Sequence, residues 1–247
     1  MEEIYEKEYV VGPTDVDCHQ RLKPSRLLLY VQDISGLHSE HLSFSYEHLA
    51  EQGIFWAVIR HRIQITRLPM EKETIRLETW PMPTTRVAFP RSTVAYDAQG
   101  KELFRSMCLW ILMDIKNRSM LIPKKSGIDI QGTVRGIELE PPGSLLPKDL
   151  AQVDFRTVLY SDLDRNGHMN NARYLDWVQD LLPSDYHREH PMQEITLSYI
   201  NEALEQQILD LNWELSEEGL MQVDIHRKKE EAPQDHQRIF AARIQFE

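Results

Sequence analysis

The 247-residue sequence predicts an α+β fold built from two copies of one unit, each a helix followed by an antiparallel sheet. Three observations predict it. First, residues 15–33 (DVDCHQRLKPSRLLLYVQD) and 162–180 (DLDRNGHMNNARYLDWVQD) align without a gap at an offset of 147 residues. Asp15/Asp162, Asp17/Asp164, Arg26/Arg173, Leu28/Leu175, Val31/Val178, Gln32/Gln179 and Asp33/Asp180 are identical pairs, the mark of a duplicated structural unit. Second, each copy carries one apolar stripe of helical period and is followed by runs of strand composition. Third, residues 119–150 hold Pro123, Gly127, Gly132, Gly136, Pro141, Pro142, Gly143 and Pro147, and little periodicity. The expected organisation is a first domain over 1–118, a linker over 119–150 and a second domain over 151–247.

The elements follow in order. An extended stretch over 4–11 precedes the first Asp-x-Asp turn. A helix over 25–39 carries Leu27, Tyr30, Val31, Ile34 and Leu37 at i, i+3, i+4, i+7 spacing. Strands are expected over 55–66, 73–80, 87–96 and 102–115, with a hairpin turn at Asp97-Ala98-Gln99-Gly100. The first of these strands is dense in β-branched and aromatic residues. In the second copy a strand over 153–160 leads to a helix over 172–182, with Asn170 and Asn171 able to cap it and Pro183 ending it. Strands over 194–202, 207–215, 220–228 and 238–246 complete that half, with a polar loop between the last two.

Composition excludes several classes. Apolar residues make up 41% of the chain, with five Trp and nine Tyr, enough for buried cores. With 28 basic and 39 acidic residues the formal charge is −11, unsuited to sequence-independent nucleic-acid binding. Cys18 and Cys108 stand far apart without metal-ligand spacing, so no metal site is expected and a reduced, cytoplasmic setting is. No apolar run is long enough for a spanning helix.

The two copies differ in their polar cargo. His19-Gln20-Arg21-Leu22-Lys23-Pro24 in the first corresponds to Asn166-Gly167-His168-Met169-Asn170-Asn171 in the second. This concentration of Asp, Asn and His in one copy implies a single active site. In an extended segment Asp164, Asn166 and His168 would alternate onto one face. The helix that follows would offer free N–H groups to a developing negative charge. General acid–base groups beside fixed donors suit attack on a carbonyl carbon without a Ser or Cys nucleophile.

The string Ser161-Asp162-Leu163-Asp164-Arg165-Asn166-Gly167-His168-Met169-Asn170-Asn171-Ala172-Arg173-Tyr174 resembles the DxDxNxHxNNxxY signature of hotdog-fold acyl thioesterases. With two repeats in one chain, the sequence is most similar to the acyl-ACP (acyl carrier protein) thioesterases. The resemblance implies a tandem double hotdog, an acyl-chain pocket in the first domain and catalysis in the second. It implies hydrolysis of fatty acyl-ACP to free fatty acid, no cofactor, and an acidic carrier protein as partner to a monomer or homodimer. It also supplies a fourth residue, Glu202, within Tyr199-Ile200-Asn201-Glu202-Ala203. Where plant relatives carry a cysteine this chain has Ala203, so a Cys–His–Asn mechanism is excluded.

On that resemblance Asp164, Asn166, His168 and Glu202 form the expected catalytic set. Glu202, oriented by His168, would be the general base, and Asn166 with a helix-start N–H would hold the oxyanion. Asp164 would be either a nucleophile forming an anhydride or the residue that positions water. Because Asp17 is retained in the copy without the other groups, Asp164 also has a purely structural reading. Rival functions are an acyl-CoA thioesterase, a non-catalytic acyl-binding regulator and a hotdog dehydratase.

Overall fold

The computed structural model describes residues 3–128, 130–228 and 236–247. The chain divides into two compact units, Met1–Pro142 and Gly143–Glu247. The first contains β1 (Tyr5–Val10), α1 (Pro24–His41), α2 (Tyr46–Glu51), β2 (Ile54–Ile65), β3 (Thr74–Pro81), β4 (Phe89–Tyr96), β5 (Glu102–Asp114), β6 (Met120–Leu121) and α3 (Pro123–Ser126). Its sheet runs in the order β1-β3-β4-β5-β2, antiparallel throughout, with β6 paired to β5. The second contains β7 (Gln152–Thr157), a 3-10 turn (Tyr160–Asp162), α4 (Asn171–Gln179), α5 (Ser184–Glu189), β8 (Met192–Tyr199), β9 (Ile208–Leu215), β10 (Leu220–Lys228) and β11 (His236–Phe246). Its strand order is β8-β11-β10-β9-β7, again antiparallel. Among the described residues no helix is long and apolar enough to cross a membrane.

α1 starts on Pro24, whose missing N–H costs nothing in the first turn. It ends where Ser43 takes a φ of 67° and Phe44 N–H donates to the Ser39 carbonyl at 2.7 Å. Leu27, Leu28, Val31 and Ile34 are fully buried, each contributing roughly 1.5–3 kcal/mol of apolar burial. The helix packs on β3 and β1. In the second unit Tyr174, Leu175, Trp177 and Val178 form the equivalent stripe of α4, and Tyr174 stacks on Phe240 of β11 at 4.7 Å.

Several elements depart from the sequence expectation. α2 and α5 are six-residue helices, too short to show a periodic stripe. Pro183 does not stop α4, which ends at Gln179; it is the N-cap of α5. The polar loop expected before β11 falls mostly on residues 229–235, outside the described residues. The stretch expected as a linker is largely packed. Thr133 N–H bonds Pro81 O at 2.9 Å, Arg135 pairs with Glu78 at 2.6 Å, and Trp80 Nε1 donates to Glu138 at 3.0 Å. A Cβ on Gly132 would lie 1.9 Å from the Met82 carbonyl carbon, so this covering strip needs glycine there. In the second unit Lys148 N–H bonds Asp224 and Arg238 bonds Leu145 O at 2.6 Å.

Asp15 anchors the turn into α1. It accepts from Gly12 N–H (3.1 Å), Tyr30 Oη (2.7 Å) and Arg26 Nε (2.8 Å). Burial alone would raise its carboxyl pKa, but these bonds together with the Arg26 charge hold it below the ordinary aspartate value. A carboxyl depressed in the folded state stabilises above its unfolded pKa of about 3.9 and loses that contribution as pH falls through the folded value. Asp15→Asn is therefore expected to lower the urea midpoint at pH 7. The gap to the parent should narrow between pH 5 and pH 2, followed by circular dichroism; parallel curves would contradict the assignment.

Candidate active site

The sequence repeat is a repeat of hydrogen bonds. In the first unit Asp17 N–H bonds Arg21 O at 2.8 Å, Gln20 N–H bonds Asp17 O at 3.0 Å, and Lys23 N–H bonds Asp15 O at 2.9 Å. At the same offset Asp164 N–H bonds His168 O at 2.8 Å, Gly167 N–H bonds Asp164 O at 3.1 Å, and Asn170 N–H bonds Asp162 O at 2.8 Å. The side chains repeat as well. Asp17 Oδ1 accepts from His19 and Arg21 N–H at 2.8 and 3.0 Å; Asp164 Oδ1 accepts from Asn166 and His168 N–H at 2.7 and 3.4 Å. Each loop needs one left-handed residue: Gln20 at φ 62° in the first, Gly167 at φ 77° in the second. Glycine takes that conformation without a Cβ penalty.

This geometry corrects the extended reading of residues 164–168. The segment closes into a turn, bridged at Leu163 and Met169, so period-two alternation does not set which side chains share a face. Asp162 accepts from Leu159 N–H at 3.0 Å and anchors the turn as Asp15 does.

The two turns part at one substitution. In the first, Arg21 reaches back to Asp17 Oδ2 through Nε at 3.3 Å and Nη2 at 3.2 Å. Its counterpart is His168, whose Nε2 lies 3.2 Å from Glu202 Oε2. Among the described residues Asp164 Oδ2 makes no hydrogen bond. The His168 side chain is 20% exposed and that of Glu202 46%, so the pair is open to water.

Glu202 does not sit on a strand. β8 ends at Tyr199, and Ile200 and Asn201 N–H both donate to Ile239 O. The chain then turns back, Met169 N–H bonds Ala203 O at 2.9 Å, and His168 bridges Leu204. Those contacts bring Glu202 to His168. Asn166 contributes its N–H to the turn, and its side chain is exposed. At the start of α4, Asn170 Oδ1 takes the Ala172 N–H at 2.9 Å and the Asn170 carbonyl takes that of Arg173. Among the described residues the Asn171 N–H finds no acceptor, so it is the helix-start donor open to a ligand oxygen.

Two residues support the site in ways the sequence did not assign. Tyr174, the closing tyrosine of the quoted signature and part of the apolar stripe of α4, is 3% exposed. Burial, then the charge of Glu202, pushes its hydroxyl pKa upward, while a hydrogen bond with the Ala203 backbone opposes the rise. Gln207 accepts from Leu204 N–H at 2.9 Å and Arg227 Nη1 at 2.8 Å, bracing the Glu202 loop; nothing in its sequence context marks it. Both cysteines lie in the first unit, and burial pushes the Cys108 thiol up to about 11. The described residues hold no cluster fit for a metal ion.

Comparison with known proteins bears on this arrangement. The family profile described as the acyl-ACP thioesterase N-terminal domain matches residues 2–124, and that of the C-terminal domain matches residues 148–247. The oleoyl-acyl carrier protein thioesterase of Coriandrum sativum is 23% identical over 228 residues, covering 83% of this chain and 61% of its own. One from Arabidopsis thaliana is 22% identical, with 62% of its length covered. The chain thus spans about three fifths of these relatives. Two solved structures share the fold: an acyl-ACP thioesterase from Bacteroides thetaiotaomicron (TM-score 0.81, 23% identity, 99% and 98% coverage) and the 12:0-ACP thioesterase of Umbellularia californica (TM-score 0.82, 18% identity, 100% and 98% coverage).

Proposed function

The chain belongs to the acyl-ACP thioesterase family, and from that premise we propose that it hydrolyses the thioester of fatty acyl-ACP to free fatty acid, ending chain elongation. The observation that carries the reading is the His168–Glu202 pair at 3.2 Å, beside the Asp164 turn and the open Asn171 N–H. Glu202, oriented by His168, takes a proton from water as the water oxygen attacks the thioester carbon. Asn166 and the Asn171 N–H are assigned to the oxyanion. Collapse of the tetrahedral intermediate breaks the carbon–sulfur bond, and the proton passes to the departing thiolate. Water and thioester become acid and thiol, with no cofactor.

Asp164 is assigned to positioning water through Oδ2, since Oδ1 already holds two backbone N–H groups. Hydrolysis in oxygen-18 water under single turnover checks this: label recovered in the fatty acid alone fits, and label in the Asp164 carboxylate would establish an anhydride instead. The acyl chain is assigned to the first unit, and unpaired Cys18 and Cys108 favour a reduced, cytoplasmic setting.

The direct test supplies acyl-ACP and acyl-CoA of matched chain lengths with a thiol reagent. Rapid thiol release from acyl-ACP is expected. Release from acyl-CoA alone would reassign the carrier, formation of an enoyl product would mark a dehydratase, and no turnover would leave a binding protein.

A further inference from the structure

β1 and β7 are corresponding edge strands of the two units, and among the described residues each is paired on one side only, with β3 and with β9. Val158 N–H bonds Gln207 O at 2.9 Å, and Val158 O takes the Gln206 N–H at 2.8 Å. Peptide direction alternates along an antiparallel strand. Asp154 and Arg156 therefore turn their peptide groups to β9, and Val153, Phe155 and Thr157 turn theirs to the open edge. The outward side chains are bare: Val153 is 49% exposed, Phe155 62%, and Ile208, opposite Thr157, 61%. Asp154 and Arg156 lie on the other face, where Asp154 accepts from Trp213 Nε1 at 3.3 Å and Arg156 pairs with Asp180 at 2.8 Å. Asp154 is exposed and Arg156 half-buried, so both still meet water.

An open strand edge invites pairing with another chain, and charge is its common guard. β1 is guarded. Val11 exchanges bonds with Glu73 and Lys72, so Glu6 and Glu8 hold outward positions. Pairing β1 antiparallel with a second molecule's β1, centred on either residue, sets glutamate against glutamate. At the repeat offset β7 carries Val153 and Phe155 in their place. Its sequence Gln152-Val153-Asp154-Phe155-Arg156-Thr157 is complementary to itself about Phe155. A two-fold axis there sets Phe155 against Phe155, Val153 against Thr157, and Asp154 against Arg156 on both sides of the axis. Phe155 presents its N–H and C=O outward, so the central pair exchanges both bonds, as Val153 does with Thr157. Centring on Asp154 or Arg156 instead opposes like charges and turns the peptide groups at the axis away. Opposite charges and apolar side chains directly across strands stabilise a pairing, and like charges weaken it. A contact of one six-residue strand is small, which suits a weak, concentration-dependent dimer.

We propose that β7 is the surface through which two molecules of this chain associate, strand against strand, antiparallel about Phe155. The contact involves no catalysis, so a protein inert toward acyl-ACP can still pass its test. Sedimentation equilibrium of the full chain, followed across a wide concentration range beside amide hydrogen exchange, provides that test. The mass is expected to rise from one chain to two. The Val153, Phe155 and Thr157 amides should slow as it does, while those of Glu6 and Glu8 stay fast. Asp154→Arg, which opposes arginine to arginine twice, should raise the dissociation constant by about tenfold or more. Adding Arg156→Asp to it restores opposite charges across the axis and should recover most of that loss. A single-chain mass at every concentration, fast exchange of the β7 edge amides in the dimer, or an Asp154→Arg dimer as tight as the parent would each overturn the proposal. So would failure of the double variant to recover while its thermal melt matches the parent's. Should the charge variants not fold, Phe155→Pro removes the outward N–H without touching the β9 ladder. A Phe155→Pro dimer as tight as the parent refutes the contact. Edge protection that appears only when acyl carrier protein is added would give β7 to that partner and refute self-association.

Discussion

Replacing His168 with Ala is expected to lower kcat for acyl-ACP hydrolysis by about 10²–10⁴-fold, the usual share of a general acid–base group. The Nε2 contact with Glu202 is what the substitution removes, and the turn survives because His168 supports it through its backbone. KM should therefore move little and the thermal melt hardly at all. Glu202→Gln, which keeps shape and removes the base, is expected to fall in the same range. Since the two side chains work as one device, the double variant should be barely worse than the poorer single one. Losses that multiply would mean that each residue acts alone, and rates within tenfold of the parent would remove the pair from the mechanism. The measurement is steady-state thiol release, with circular dichroism melts as the folding control.

The second comparison sets Asp164→Ala against Asp17→Ala. Both carboxylates accept two backbone N–H groups in superposable turns. Each substitution is expected to cost about 1–3 kcal/mol of stability, the range for hydrogen bonds to a charged acceptor. Only Asp164→Ala should also lower kcat, by about 10²-fold or more, because among the described residues its second oxygen makes no hydrogen bond while that of Asp17 is held by Arg21. Urea unfolding gives the first quantity and kinetics at a temperature where both variants are folded gives the second. Equal activity in the two variants would make Asp164 an anchor and nothing more.

The residues that were easiest to read from sequence were those whose role is repeated. Asp15 and Asp162, Arg26 and Arg173, and the helix stripes announced one architecture twice, and the long strands were legible because they are dense in β-branched and aromatic side chains. What escaped depends on partners distant in sequence. Alternation suggested an extended 164–168 segment, but an Asx-type bond from Asp164 to its own chain closes it into a turn, as local side-chain bonds do. Glu202 was expected on a strand; paired N–H groups of Ile200 and Asn201 on the Ile239 carbonyl end the ladder early. The breaker-rich stretch near 130–138 reads as linker because its contacts, Arg135 to Glu78 and Glu138 to Trp80, have no period. Tyr174 and Gln207 support the site through bonds that no spacing foretells.

The matched turns have one more consequence. What closes each loop is an aspartate oxygen and a handful of peptide groups, and positions 166 and 168 enter that closure through their backbone N–H groups. Shape and reactivity are thereby written in separate alphabets. Natural drift, or a mutagenesis library confined to positions 166 and 168, can change the chemistry while the peptide groups that close the turn stay in place.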